Sequence, residues 1–138
     1  MDIIITGATG FVGKNLSKYL EDLGHRVLPL SVRNPWVLDK DADAIVHLAG
    51  KAHDTKNTSA EKEYFAINTD LTKKLFQEFL DSEIKDFVYF SSVKASADSV
   101  DGYLEENHLS NPVTPYGKSK LEAEKFLLHQ KLPENKRL

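Results

Sequence analysis

The chain has 138 residues, 41% of them hydrophobic and 28% charged, with 7 glycines and 5 prolines, a make-up that fits one ordinary globular domain and excludes a fibre or a disordered tail. Lysine plus arginine (18) against aspartate plus glutamate (21) gives a formal charge of −3, which argues against a nucleic-acid partner or a polybasic membrane anchor. Cysteine is absent, so disulfides, thiolate nucleophiles, zinc ribbons and iron–sulfur clusters drop out together.

Residues 2–6 form a β-branched run cut off by Gly7, which predicts a strand buried on both faces and ending in a tight turn. Met1-Asp2 leads into Ile3-Ile4-Ile5 with no basic or cleavable leader, so the expectation is a cytoplasmic protein read from its native start. Over 11–23, Val12, Leu16, Tyr19, Leu20 and Leu23 recur at helical spacing, and Gly24 supplies a left-handed stop. Residues 26–30 read as a second strand, with Pro29 tolerated only at a sheet edge. A third strand covers 44–48 and ends at Ala49-Gly50. From 60 to 82 a long helix is predicted, with Tyr64, Asn68, Leu71, Leu75 and Phe79 on one face and Asn68 the polar member of that stripe. Residues 87–90 form a fourth strand closing at Ser91-Ser92, and a polar stretch follows to Thr114. The last helix starts at Pro115 behind an N-cap at Thr114 and runs to about residue 131.

Strands alternating with helices imply parallel pairing and right-handed crossovers, hence a doubly wound α/β sheet. Ligands of such sheets bind beyond the carboxyl ends of the strands. Functional residues are therefore expected after Thr6, Leu30, Leu48 and Phe90.

The first of these places holds Thr6-Gly7-Ala8-Thr9-Gly10-Phe11-Val12-Gly13. Gly7 can take the turn conformation, Gly10 admits a close backbone approach by a pyrophosphate, and Gly13 lets the helix pack on the strand. Exposed N–H groups and the helix dipole favour an anion there. Together with His47-Leu48-Ala49-Gly50, Ser91-Ser92 and Tyr116-Gly117-Lys118-Ser119-Lys120, in that order, this turn resembles the extended short-chain dehydrogenase/reductase family. Within it, the motifs resemble the NAD-dependent epimerase/dehydratase branch that acts on nucleotide sugars. The resemblance covers essentially the whole chain and implies a Rossmann-like NAD(P)-binding domain.

Tyr116 and Lys120 stand at i and i+4 and so share a helix face. An ammonium beside a phenol favours the phenolate, and Tyr116 can then take a proton from a sugar hydroxyl as hydride leaves the same carbon. The resemblance implies that Lys120 also binds the nicotinamide ribose and that Ser92 hydrogen-bonds the substrate oxygen. Ser91, one residue away, points to the other face of a strand. Asn68, an amide on an apolar face, needs partners; the family often uses such an asparagine to tie the helix to the strand carrying the serine. The cofactor-binding set is Gly7, Thr9, Gly10, Phe11, Val12, Gly13, Ser31, Arg33, Leu48, Ala49 and Gly50, with Tyr116 and Lys120.

NAD enzymes of this fold place an acid at the end of strand two. Here Ser31 replaces the acid and Arg33 can accept a 2′-phosphate, so the cofactor is NAD or NADP with the balance toward NADP. Asp39, Asp41 and Asp43 imitate a calcium loop, but Ala44 stands where glycine is needed and Gly50 where a bidentate glutamate belongs. The five histidines show no ligand spacing, so no metal is expected, and Glu105-Glu106 reads as a solvated loop.

The family usually inserts a helix, a strand and a second helix between strands two and three, where this chain has only 33–43. The sheet is therefore expected to be trimmed to about four strands in the order 2-1-3-4. Family members are longer and carry a C-terminal sugar-nucleotide lobe, so residues 1–138 are expected to form the NAD(P)-binding Rossmann domain without the substrate domain. An exposed sheet edge would favour a homo-oligomer. The leading expectation is an NAD(P)-dependent nucleotide-sugar epimerase/dehydratase-like oxidoreductase reduced to its cofactor-binding and catalytic portion. The alternatives are an NADP-dependent carbonyl reductase and a non-catalytic dinucleotide-binding sensor or assembly subunit.

Overall fold

The computed structural model describes residues 1–33, 35–52 and 60–138. In chain order it contains β1 (Asp2–Thr6), α1 (Phe11–Asp22), β2 (Arg26–Leu30), β3 (Ala44–His47) and α2 (Glu61–Tyr64). A π-helical turn (Phe65–Asp70) follows directly, then α3 (Leu71–Leu80), β4 (Asp86–Tyr89), a 3-10 turn (Val93–Ala95) and α4 (Pro115–Leu128). The chain forms two compact units: Met1–Gly50 with Lys74–Phe90 and Lys131–Leu138, and Lys51–Lys73 with Ser91–Gln130.

The first unit is built on a four-stranded sheet of order β2-β1-β3-β4, with every pair parallel. This is the order expected from the sequence. Pro29 pairs with Ile5 on the outermost strand, where its missing N–H breaks no second ladder. The β1 residues Ile3 and Ile5 join Ala44 and Val46 of β3 in a buried cluster, against which Leu16 and Leu20 of α1 pack. Alternation along a strand turns Ile4, Ile45 and Phe87 to the opposite face, and all three are essentially fully buried. There Phe87 meets Phe76 and Phe79 of α3 with ring centroids 5.0 and 5.3 Å apart. Both faces of the sheet are thus covered by helices, as parallel pairing requires.

The short connection from β2 to β3 is closed by side chains in place of a helix. Val32, Leu38 and Ala42 are buried along it. The Trp36 indole N–H donates to Glu78 Oε2 at 2.9 Å, and Lys74 Nζ lies 4.2 Å from the centroid of the indole. At the other end of the unit, the buried Lys136 ammonium donates to the carbonyl oxygens of Phe79, Ser82 and Ile84 at 2.9, 2.8 and 2.7 Å. All three of its protons are used on carbonyls at and just beyond the α3 C-terminus, where a cation is favoured by the helix dipole. Arg137 bridges Asp86 in parallel register, and its guanidinium donates to both carboxylate oxygens of Asp86 at 2.6 and 2.8 Å.

The sequence pattern predicts one unbroken helix over 60–82, and the structure differs in its middle. Phe65–Asp70 widens to a π-turn, which brings the consecutive residues Asn68 and Thr69 inward together. In a regular α-helix, neighbours diverge by about 100° around the axis. The cause is tertiary, because both side chains bond to Ser119 of α4, 51 and 50 residues further along the chain.

Candidate functional site

In the first unit, the turn after β1 is set by backbone geometry. Gly7 has φ +70, and a β-carbon there would lie 2.8 Å from the Ala49 nitrogen; one on Gly13 would overlap the Gly7 carbonyl oxygen. Glycine at these two places lets the turn close against both Ala49 and the start of α1. The N-cap of α1 is Gly10, with no side-chain cap and no acidic residue in the first turn. The helix therefore presents its orphan N–H groups uncapped, the arrangement that suits a phosphate. Thr9, Gly10, Phe11 and Val12 are exposed around it, and Ser31 and Arg33 are exposed beyond the end of β2.

Beside this turn, Thr6 and His47 are register partners and both buried, and Thr6 Oγ1 lies 2.6 Å from His47 Nδ1. The Ala49 N–H donates to the same hydroxyl oxygen at 3.0 Å. The two bonds coexist when the hydroxyl proton goes to Nδ1, which puts the His47 ring proton on Nε2. The His47 ring stacks on Tyr89, centroids 5.9 Å apart. This row holds the Leu48-Ala49-Gly50 segment against Gly7, with Leu48 and Ala49 half-buried and Gly50 exposed.

The second unit contains Ser92, Tyr116 and Lys120. Thr114 caps α4 by accepting from the Gly117 N–H at 3.1 Å, with Pro115 opening the helix, as the sequence predicts. Tyr116 is half-buried on the first turn, while Lys120 is only 6% exposed. Burial pushes the Lys120 ammonium down to about 8, partly offset by Glu124. Ser92 caps the 3-10 turn by accepting from the Lys94 N–H at 3.2 Å. Gly117 is what lets this turn approach α4, because a β-carbon there would overlap the Lys94 carbonyl oxygen.

Asp98, Thr69 and Ser119, which the sequence did not single out, hold α4 in place together with Asn68, which it did. Asp98 accepts from the Val113 N–H at 2.6 Å, the Thr114 N–H at 3.0 Å and the Thr114 hydroxyl at 2.6 Å. Burial opposes ionisation of this carboxyl, but the bonds from Thr114 and Val113, with the charge of Lys94, hold it below its ordinary value. Ser119 is fully buried; its carbonyl accepts from Thr69 Oγ1 at 2.8 Å and its hydroxyl from Asn68 Nδ2 at 3.0 Å. Asn68 also grips Lys51, accepting from its N–H at 2.7 Å and donating to its carbonyl at 3.2 Å. Its partners are thus Lys51 and α4, in place of the serine-bearing strand expected from the resemblance. A glycine inside the first turn of a helix, as at position 117, is a sequence signal of close packing. Asp98 carries no such signal, because its partners lie 15 and 16 residues away.

The aspartates at 39 and 43 serve the backbone, accepting from the Asp41 and Asp2 N–H groups. His53 lies outside the described residues; among the described residues, no three His, Cys, Asp or Glu side chains gather to hold a metal. No helix among them is long and apolar enough to cross a membrane.

Residues 3–131 match the family model described as the NAD dependent epimerase/dehydratase family. A UDP-glucose 4-epimerase from Vibrio cholerae is 32% identical over 152 residues, covering 91% of this chain and 46% of that protein. Among solved structures, MoeE5 in complex with UDP-glucose and NAD superposes with a TM-score of 0.82 at 27% identity, covering 93% of this chain and 48% of MoeE5. RMD from Pseudomonas aeruginosa complexed with NADPH gives a TM-score of 0.75 at 27% identity, covering 92% of this chain and 48% of RMD. The chain spans about half the length of these relatives. On the family match, the glycine turn and the Tyr-Lys helix together, the chain belongs to the NAD dependent epimerase/dehydratase family.

Proposed function

We propose that residues 1–138 are the dinucleotide-binding and catalytic portion of a cytoplasmic, NAD(P)-dependent enzyme of nucleotide-sugar epimerisation or dehydration. The observation that carries this reading is the buried Lys120 one helical turn beyond Tyr116, in a chain whose relatives include a UDP-glucose 4-epimerase. The bound dinucleotide supplies a hydride acceptor. The Gly7–Gly13 turn and the uncapped α1 terminus would hold its pyrophosphate. Tyr116 Oη takes the proton of a sugar hydroxyl while the hydride leaves the same carbon. Lys120, with its ammonium at about 8, is still largely charged at neutral pH, favours the phenolate and binds the nicotinamide ribose. Ser92 donates its hydroxyl proton to the reacting oxygen.

The test uses the purified chain with NAD and UDP-glucose, following nicotinamide reduction at 340 nm under single-turnover conditions. Tyr116→Phe is expected to slow hydride transfer by about 10²- to 10⁴-fold. An unchanged rate in the variant removes Tyr116 from the chemistry. A Tyr116→Phe variant that leaves the biological role of the protein intact favours the sensor or assembly-subunit reading.

Ser31 and Arg33 at the end of β2 favour NADP as the preferred cofactor and keep an NADP-dependent reductase as the second reading; RMD, 27% identical, is complexed with NADPH. Replacing Arg33 with Ala should weaken NADP binding about tenfold and leave NAD binding unchanged. Equal effects on the two dinucleotides would overturn the preference.

A further inference from the structure

We propose that Tyr64 is a positioning residue for Tyr116, fixing where the phenol ring of the proposed proton acceptor points; this rests on the reading of Tyr116 given above. Tyr64 ends α2 and is 3% exposed. Its ring meets that of Tyr116 with centroids 6.2 Å apart and planes at 69°, the edge-to-face arrangement that aromatic pairs prefer. Tyr116 lies half-buried in the first turn of its helix, where the backbone alone leaves more than one rotamer open. The neighbouring ring supplies the restraint that the helix does not.

The brace is itself held. Lys51 Nζ lies 5.6 Å from the Tyr64 ring centroid and 3.1 Å from the Glu63 carboxylate, placing a cation at the aromatic ring. The main chain of Lys51 is gripped at both its N–H and its carbonyl by Asn68. Asn68 in turn donates to the hydroxyl of Ser119, and that hydroxyl donates to the carbonyl oxygen of Tyr116 at 2.8 Å. Tyr64, Lys51, Asn68, Ser119 and Tyr116 therefore form a closed circuit. The π-turn that brings Asn68 inward is what closes it. One arm of the circuit fixes the Tyr116 backbone and the other fixes its ring.

Because the contact is made by the ring, Tyr64→Phe should preserve it and Tyr64→Leu should abolish it. Aromatic ¹H–¹³C spectra of the full chain, with Tyr116 assigned through Tyr116→Phe, read the ring directly. Wild-type protein should show a nuclear Overhauser contact between the two tyrosine rings and an upfield displacement of one ring's edge protons. In Tyr64→Leu that displacement should be lost while amide signals of β1 and β3 stay in place; in Tyr64→Phe it should be retained. Tyr116 signals that do not move in Tyr64→Leu, or that move equally in both variants, overturn the proposal. If Tyr64→Leu does not fold, absence of the inter-ring contact in wild-type protein overturns it on its own. In the hydride-transfer assay, Tyr64→Leu should lower the single-turnover rate about tenfold with dinucleotide affinity within twofold, and Tyr64→Phe should restore the rate. A chain with the ring contact whose hydride-transfer rate is unchanged by Tyr116→Phe refutes the reading of Tyr116 and leaves the ring placement standing.

Discussion

The α-carbon of Gly117 faces the carbonyl oxygen of Lys94 so closely that a β-carbon would overlap it and would also meet Pro112 Cβ at 2.8 Å. The residue after the proposed base is therefore the one that admits the turn carrying Ser92. Gly117→Ala must push backbone, and overpacking of this kind costs about 1–3 kcal/mol. Urea unfolding should show that loss, and hydride transfer should fall with it. An alanine variant as stable as wild type would mean that the turn can withdraw at no cost.

Lys120 carries a burial penalty that a stability measurement can detect. Its ammonium titrates at about 8 in the folded chain against 10.5 when solvated, so below pH 8 folding pays to keep the charge inside. As pH rises from about 8 to about 10.5, the unfolded state holds the extra proton, and stability should increase across that window. Lys120→Met should remove this pH dependence and raise stability at pH 7 by about 1–3 kcal/mol, while abolishing hydride transfer. A destabilised methionine variant would contradict this account.

At Asp98 the sign is reversed. Its carboxyl is held below the ordinary 3.8 in the folded chain, so its contribution is complete above 3.8 and is lost as pH falls below that, through the lower value of the folded chain. Asp98→Asn keeps one acceptor oxygen and should cost about 1–2 kcal/mol at pH 7, with the difference from wild type shrinking in acid. Chemical denaturation at pH 7 and pH 3 checks both statements.

The three carbonyl oxygens held by Lys136 predict a third stability effect. Lys136→Met leaves them without their donor, and about 2–3 kcal/mol should be lost. Amide exchange at the α3 C-terminus should rise in the variant. Unchanged protection there would show that the carbonyls find other donors.

On the outer strand β4, Val88 is 44% exposed, and Phe90, just past its end, is 45% exposed. The Arg137 main chain bonds to Lys85 and Phe87, and among the described residues no strand pairs with the outer edge of β4 beyond Phe87. An uncovered strand edge of this kind invites pairing with a second copy. Sedimentation should show self-association at high concentration, reduced by Val88→Lys; a monomer at every concentration would exclude it.

The sheet and its order were legible because they rest on local signals: β-branched runs, Gly7 and Gly24 as stops, and Pro29 as an edge marker. Thr114 and Pro115 likewise announce the start of α4 within two residues. What escaped was set by partners distant in the chain. The π-turn exists because Asn68 and Thr69 both reach Ser119, 51 and 50 residues away, and a stripe of apolar residues at helical spacing contains no trace of that. Asp98 escaped for the same reason. Asn68 stood out as a polar residue in an apolar stripe, yet its partners, Lys51 and Ser119, had to come from the fold.

Trp36 is the only tryptophan in the chain, and its partners Lys74 and Glu78 belong to the first compact unit. Its emission is therefore a dye fixed to the sheet side alone, and once Tyr19 and Tyr89 of that same unit are replaced by phenylalanine, Tyr64, Tyr103 and Tyr116 report from the other unit. Unfolding followed in the two optical windows distinguishes one cooperative block from two, because coincident curves mean a single transition and separated curves mean that each unit melts by itself.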